Sequence, residues 1–198
     1  MLRIAVTGGI ACGKSLAGSF IEEAGIPVCD SDNLAHQAIG RGTLAYRAVV
    51  DAFGRGILGE DGEIVRSRLG RVVFGDSAKL KKLNAMLHPV VRAMWKKWMR
   101  GQRGRKAVAV VVPLLYEIAD ERNWDAVICV GGPEADQRAR LKARGLTARE
   151  VGQRLAAQMP VAQKMARADH VIYNCGSVPL LRAQTVRVIN ELVERKHA

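Results

Sequence analysis

The chain has 198 residues, which suits one domain or one core carrying small inserted subdomains. Its composition is 48% hydrophobic but only 5% aromatic, a balance that suits the buried sheet of an α/β protein. With 31 Lys and Arg against 19 Asp and Glu, the formal charge of +12 favours a polyanionic ligand, whether nucleic acid, an acidic membrane surface or a phosphorylated small molecule.

The longest apolar stretch, residues 107–115, is far short of the roughly 20 residues that a membrane helix needs. The start, Met1-Leu2-Arg3-Ile4-Ala5-Val6, runs straight into a glycine turn without a signal-peptide layout. Cys12, Cys29, Cys129 and Cys175 lie far apart, with neither a CxxC pair nor Cys/His metal spacing, and read as free thiols in a reducing compartment. A soluble, cytoplasmic protein is expected.

In chain order, residues 3–6 form an apolar run ending at Thr7-Gly8-Gly9 and predict a buried strand. Residues 14–24 have helical spacing, with Leu16, Phe20 and Ile21 on one side and Gly25 as the stop. Residues 26–29 predict a second strand, closed by Asp30-Ser31-Asp32, and this β-α-β opening implies a parallel sheet. From residue 33 to about 105 the pattern is helical and basic, with Leu80, Leu83, Leu87 and Val91 recurring at three-to-four spacing through His88-Pro89. Residues 107–112 and 126–130 predict central strands, 134–164 a second basic helical stretch, 170–173 a last strand and 178–194 a closing helix. The alternation predicts a doubly wound parallel α/β sheet with an inserted helical subdomain and a helical lid. The core is expected at 1–32, 106–134 and 166–198, the insert at 33–105 and the lid at 135–165.

Gly8-Gly9-Ile10-Ala11-Cys12-Gly13-Lys14-Ser15 matches G-x-x-x-x-G-K-S/T in full, between a predicted strand and a predicted helix. Glycines let successive N–H groups curl around one phosphate, and the helix N-terminus adds partial positive charge there. Lys14 suits the β- and γ-oxygens of a nucleotide, and Ser15 suits Mg²⁺. The loop thus predicts ATP and Mg²⁺ but leaves the acceptor open.

Asp30 and Asp32 lie at the predicted carboxyl end of the second strand, on the edge that faces the ligand crevice in such sheets. A kinase acting on an alcohol needs a carboxylate to orient the hydroxyl and take its proton. Asp32 is the candidate for that role. Asp30 either holds a water on the metal or caps the next helix. No Asn-Lys-x-Asp segment is present to read guanine.

Several segments together resemble dephospho-CoA kinases. The opening from Thr7 to Ser15 is similar to T-G-G-I-G-S-G-K-S. Asp30-Ser31-Asp32, with His36 a turn later, stands where the family has D-A-D. Phe53-Gly54 and Asp61-Gly62-Glu63-Ile64-Val65-Arg66 match F-G…D-G-x-I-D-R. Leu83-Asn84 and Leu87-His88-Pro89 match L-N-x-x-x-H-P, and the segment from Val112 to Glu117 matches V-P-L-L-F-E. Arg140, Arg144, Arg154 and Gln158, then Ala168-Asp169 through Asn174, complete the order.

The resemblance implies ATP-dependent phosphorylation of the ribose 3′-hydroxyl of dephospho-CoA, the last step of CoA biosynthesis. It implies Asp32 as base, and the loop from Gly9 through Leu16 as the ATP and Mg²⁺ site, with Asp30 reaching the metal through water. It further implies that Lys14 and Arg140 act in catalysis, that Arg140 and Arg144 are lid arginines, and that Asn174 neighbours the nucleotide base. Dephospho-CoA would meet Asp32, His36, Arg66, His88, Pro113, Leu114 and Glu117. A monomer or weak homo-oligomer is expected, with no nucleic-acid or membrane partner.

Three departures stand out. Ala11 and Cys12 replace Gly-Ser, and Ala11 is tolerable only at negative φ. Val111 stands where many members carry an acid before V-P-L-L. The segment after Arg144 is one residue short of R-D-G-L-S.

Blander readings compete at several positions. Arg140 and Arg144, four apart on one helix face, can be a solvated basic face. Arg66 either meets a substrate phosphate or pairs with Glu63. His88 is either catalytic or a hydrogen-bonding tether between subdomains. Glu117 either contacts substrate or caps a helix, Leu114 and Leu115 are expected to face the crevice, and Trp95 and Trp98 are expected to pack the helix. A kinase for a nucleoside, shikimate or a sugar acid is the nearest alternative. A nucleic-acid-binding ATPase is the alternative from another class; the shortage of aromatics for base stacking speaks against it.

Overall fold

The computed structural model describes residues 1–195. Its five strands are β1 (Leu2–Gly8), β2 (Val28–Asp30), β3 (Ala107–Val111), β4 (Ala126–Gly131) and β5 (His170–Tyr173), hydrogen-bonded in the order β2-β3-β1-β4-β5. Every pairing is parallel, with Val6 opposite Val111 on one side and Ile128 on the other. β3 and β4 are buried along their whole length, and β1 is buried except at Arg3. That is why these segments read as continuous apolar runs: helices cover both faces of a parallel sheet. Parallel strands end along one edge, so Gly8, Asp30, Val111 and Gly131 line the same side. The chain leaves β1 towards β2 and β3 on one flank and later fills the other flank with β4 and β5. β1 therefore ends at the switch point where such sheets bind ligands.

Two compact units make up the chain. The first, residues 1–30 and 98 onward, contains the sheet. Its core is formed by Ile4, Val6, Ala109, Ile128, Val130 and Ile172 of the strands with Ala17, Phe20, Ile21, Leu181 and Ile189 of α1 (Lys14–Glu23) and the closing helix (Val178–Arg195). α1 is rotated relative to the sequence expectation. Leu16 is 37% exposed, and the buried face is Ala17, Gly18, Phe20 and Ile21. Small residues win that face because the helix lies close to the sheet: a Cβ on Gly18 would stand 3.4 Å from Val111 Cγ2.

The second unit, residues 31–97, is helical. It holds α2 (Ser31–Ala38), α3 (Leu44–Phe53), α4 (Arg66–Phe74) and most of α5 (Ser77–Gly101), which runs through Pro89. Its own core gathers Ile39, Val49, Ile57, Ile64, Leu69, Val73, Leu83 and Leu87. Thr43 caps α3 by accepting from Tyr46 N, and the Tyr46 hydroxyl donates to Gly62 O at 2.5 Å, fixing the glycine turn. Trp95 is buried on α5.

Back in the first unit, the basic helical stretch after β4 consists of three helices: α6 (Glu134–Ala143), α7 (Ala148–Ala156) and α8 (Val161–Arg167). Gly145, at φ 84°, and Pro160 supply the breaks. A capping box of Thr147 and Glu150 opens α7. The closing helix (α9) also finishes the sheet edge. Gln184 accepts from Tyr173 N at 3.0 Å and donates to Tyr173 O at 3.1 Å. Asp169, just before β5, binds β4 twice, through its N to Val127 O and its carboxylate from Val127 N.

Candidate active site

The loop between β1 and α1 is held open by its backbone and by side chains from distant segments. Gly8 adopts φ 145°, and a Cβ there would collide with the Val130 carbonyl. Gly13, at φ 99°, is the N-cap of α1 with no side-chain cap, so the helix N-terminus opens directly onto the loop. Ala11 departs from expectation: its φ is +58°, in the left-handed region, not negative. Two outside contacts fix the peptides around it. Arg140 Nη1 donates to Ala11 O at 3.0 Å, and Asn174 Nδ2 donates to Cys12 O at 2.9 Å. Lys14 curls back over the loop, its Nζ 2.8 Å from Gly9 O and 3.3 Å from Gly8 O. Cys12 is fully buried, and burial pushes its thiol up while Lys14, Arg140 and Lys164 draw it down. The loop thus gathers a helix N-terminus, an ammonium and a guanidinium, the donor set that polyphosphate oxygens require.

Behind the loop lies a second layer. The Pro113 carbonyl, just beyond β3, accepts from Lys164 Nζ at 2.7 Å and from the Thr7 hydroxyl at 3.4 Å. Glu117 Oε1 lies 2.8 Å from Lys164 Nζ and accepts from Met159 N at 2.9 Å. Leu115 is fully buried in the core, not facing the crevice as expected, and Leu114 is half-buried. Gln137 is also buried, donating to Gly132 O at 3.4 Å.

Lys164 and Gln137 did not stand out in the sequence. For Lys164 a signal exists. It shares the spacing of Val161, Met165 and Ala168, the face of α8 that turns inward.

The remaining candidates are placed as follows. Asp30 is the last residue of β2, in register with Val111, which is buried and leaves the end of β3 without a carboxylate. Asp32 lies not on a strand end but in the first turn of α2, exposed, where the helix N-terminus favours its charge. His36, also exposed, follows one helical turn later on the same face. Arg66 is exposed at the start of α4, while Glu63 accepts from Arg41 N at 3.2 Å. His88 is half-buried within α5, and burial and Arg92 hold its pKa below the usual value. Asp32, His36, Arg66 and His88 belong to the helical unit; the loop, Asp30, Pro113, Leu114, Glu117, Arg140, Arg144 and Asn174 belong to the sheet unit. Ser15 is exposed in the first turn of α1. Arg144 is the exposed C-cap residue of α6, beyond the last helical turn.

Among the described residues no helix is long and apolar enough to cross a membrane, and no cluster of three or more His, Cys, Asp or Glu is placed to hold a metal ion by itself. Comparison with known proteins agrees with the loop chemistry. The model of the dephospho-CoA kinase family matches residues 2–179. The chain is 45% identical to the dephospho-CoA kinase of Shouchella clausii, over 89% of this chain and 91% of that one. It is 41% identical to that of Thermosynechococcus vestitus, over 93% and 91%. The solved dephospho-CoA kinase from Campylobacter jejuni superposes with a TM-score of 0.70 at 27% identity, covering 98% of each chain. With its loop geometry, its sheet order and these matches over most of its length, the chain belongs to the dephospho-CoA kinase family, which carries out the final step of CoA biosynthesis by ATP-dependent phosphorylation of dephospho-CoA.

Proposed function

We propose that the chain transfers the γ-phosphoryl group of ATP to the ribose 3′-hydroxyl of dephospho-CoA, with Asp32 as base. The observation that carries this reading is the convergence of Lys14, Arg140 and the α1 N-terminus on one glycine loop, in a chain of this family. The loop N–H groups and Lys14 hold the β- and γ-phosphates, and Arg140 meets the charge that spreads over the γ-oxygens as the bond to ADP loosens. The 3′-oxygen forms its bond to the γ-phosphorus, the bond from that phosphorus to the β–γ bridging oxygen breaks, and the hydroxyl proton passes to the Asp32 carboxylate.

Mg²⁺ would fit the donors present: Ser15 would offer a hydroxyl, and Asp30, in register with Val111 at the apolar end of β3, would support the ion through water. Bound there, the ion would neutralise charge on the phosphate oxygens. Residues 33–105 form the acceptor side, with His36, Arg66 and His88. Residues 135–165 form the lid, with Arg140 and Arg144. Asn174 lies beside the adenine. The enzyme works in the cytoplasm as a monomer or weak homo-oligomer, without nucleic-acid or membrane partners.

A coupled ADP-release assay with Mg-ATP tests the reading, run on dephospho-CoA beside shikimate, nucleosides and sugar acids. Turnover is expected on dephospho-CoA, reduced by about 10²–10⁴-fold in Asp32→Asn, with ATP affinity retained. Turnover on a different alcohol alone would overturn the acceptor, and an unimpaired Asp32→Asn would remove Asp32 from the role of base.

A further inference from the structure

Lys164 heads the fully buried side chains in size, and its side chain is 0% exposed. A buried ammonium is costly unless it is paired and hydrogen-bonded, and an apolar side chain of similar volume commonly serves stability as well or better. A lysine at this position therefore calls for a reason beyond filling the inner face of α8.

Its contacts supply one. α8 presses on the carboxyl edge of the sheet beside the phosphate loop: a Cβ on Gly9 would stand 3.1 Å from Val161 Cβ, and one on Gly131 would collide with Met165. Lys164 extends from the same face to the Pro113 carbonyl, which also takes the hydroxyl of Thr7, the residue just before the loop. Its second partner, Glu117, holds the backbone N–H of Met159 in the turn between α7 and α8. One buried cation thus joins the exit of β3, the strand that carries the loop, and the end of the helical segment that carries Arg140. Arg140 in turn holds the loop at Ala11.

We propose that Lys164, paired with Glu117, is a positioning residue for phosphoryl transfer. It fixes the α7–α8 turn and the root of the loop to the Pro113 carbonyl, so that ATP meets a preformed loop with Arg140 already over it. This rests on the ATP-dependent kinase reading above. Lys164 touches no reacting atom; it acts through Pro113, Thr7 and Met159.

The test compares wild type with Lys164→Met, Lys164→Arg and Glu117→Gln. It measures ATP affinity by calorimetry without acceptor, kcat and KM for both substrates, and Tm. Lys164→Met is expected to weaken ATP binding and lower kcat by about tenfold or more each, leaving KM for dephospho-CoA within about twofold, because the buried Lys164 acts on the phosphate loop through Pro113 and Thr7. Lys164→Arg should recover part of the loss by restoring the charge. If Lys164→Met melts earlier but binds ATP and turns over like wild type below its Tm, Lys164 is only a packing residue and the proposal falls. Should that variant fail to fold, Glu117→Gln decides: it keeps an acceptor for Met159 N but loses the charge. A several-fold loss of ATP affinity supports the proposal; wild-type affinity overturns it. Wild-type protein that binds ATP but leaves dephospho-CoA untouched would refute the acceptor assignment, and the affinity series would still judge Lys164.

Discussion

Ala11 carries a left-handed backbone at φ 58° where the resembling pattern has glycine. That conformation costs an L-residue about 1–2 kcal/mol, and part of the cost is recovered because alanine has the stiffer unfolded chain, by about 0.4–1 kcal/mol. Ala11→Gly is therefore expected to stabilise the protein by about 1 kcal/mol or less, read as a rise in Tm of about 2–4 °C per kcal/mol. Activity should be preserved, because Arg140 bonds the Ala11 carbonyl and not its methyl group. A lower Tm would show that the methyl group's packing outweighs the strain. The sequence spelled out Lys14, Ser15 and the glycines because phosphate-loop chemistry is contiguous in the chain. It did not spell out the sign of φ at Ala11. That is set by peptides anchored on Arg140 and Asn174, partners far along the chain. Lys164 was hidden for the same reason. Its spacing with Val161 and Met165 marks an inward face, but nothing local names its carbonyl partner, Pro113, 51 residues away.

At the scale of elements, α7 is nine residues long and begins in a full capping box, with Glu150 N donating to the Thr147 hydroxyl and Thr147 N to the Glu150 carboxylate. A helix this short gains little from propensity, so its ends matter. Thr147→Ala should cost about 1 kcal/mol, seen as a lower Tm and as faster protease cleavage between α6 and α8. Unchanged cleavage would mean that Val151, which is buried, anchors α7 alone. Strands β1, β3 and β4 were legible as apolar runs. The three helices after β4 were read as one stretch because all are basic, although Gly145 and Pro160 stood in the sequence as breaks. Asp32 was assigned to a strand end and lies on α2, because Asp30-Ser31-Asp32 suits both the close of a strand and the start of a helix. The rotation of α1 that exposes Leu16 follows from contact with Val111 across the sheet, which periodicity along one segment does not carry.

For the whole molecule, a net charge of +12 meets two polyphosphate ligands under the proposed reaction. Raising salt from about 0.1 M to about 1 M shortens the screening length from about 10 Å to about 3 Å. KM for ATP and for dephospho-CoA should then rise several-fold, while kcat, set by contacts inside the closed site, changes less. A KM independent of salt would assign the surplus charge to something other than ligand capture. The α/β class and the run of strands were legible from alternation. The strand order, with β1 at the centre, was not, since each strand's neighbours come from distant parts of the chain. That order also leaves β2 and β5 outermost. β2 has three residues, and the outward N–H and C=O of Tyr173 on β5 are already taken by the Gln184 amide. A passing strand from another copy finds a short ladder on β2 and, at Tyr173 of β5, backbone groups already taken, which blunts both flanks against edge-to-edge pairing.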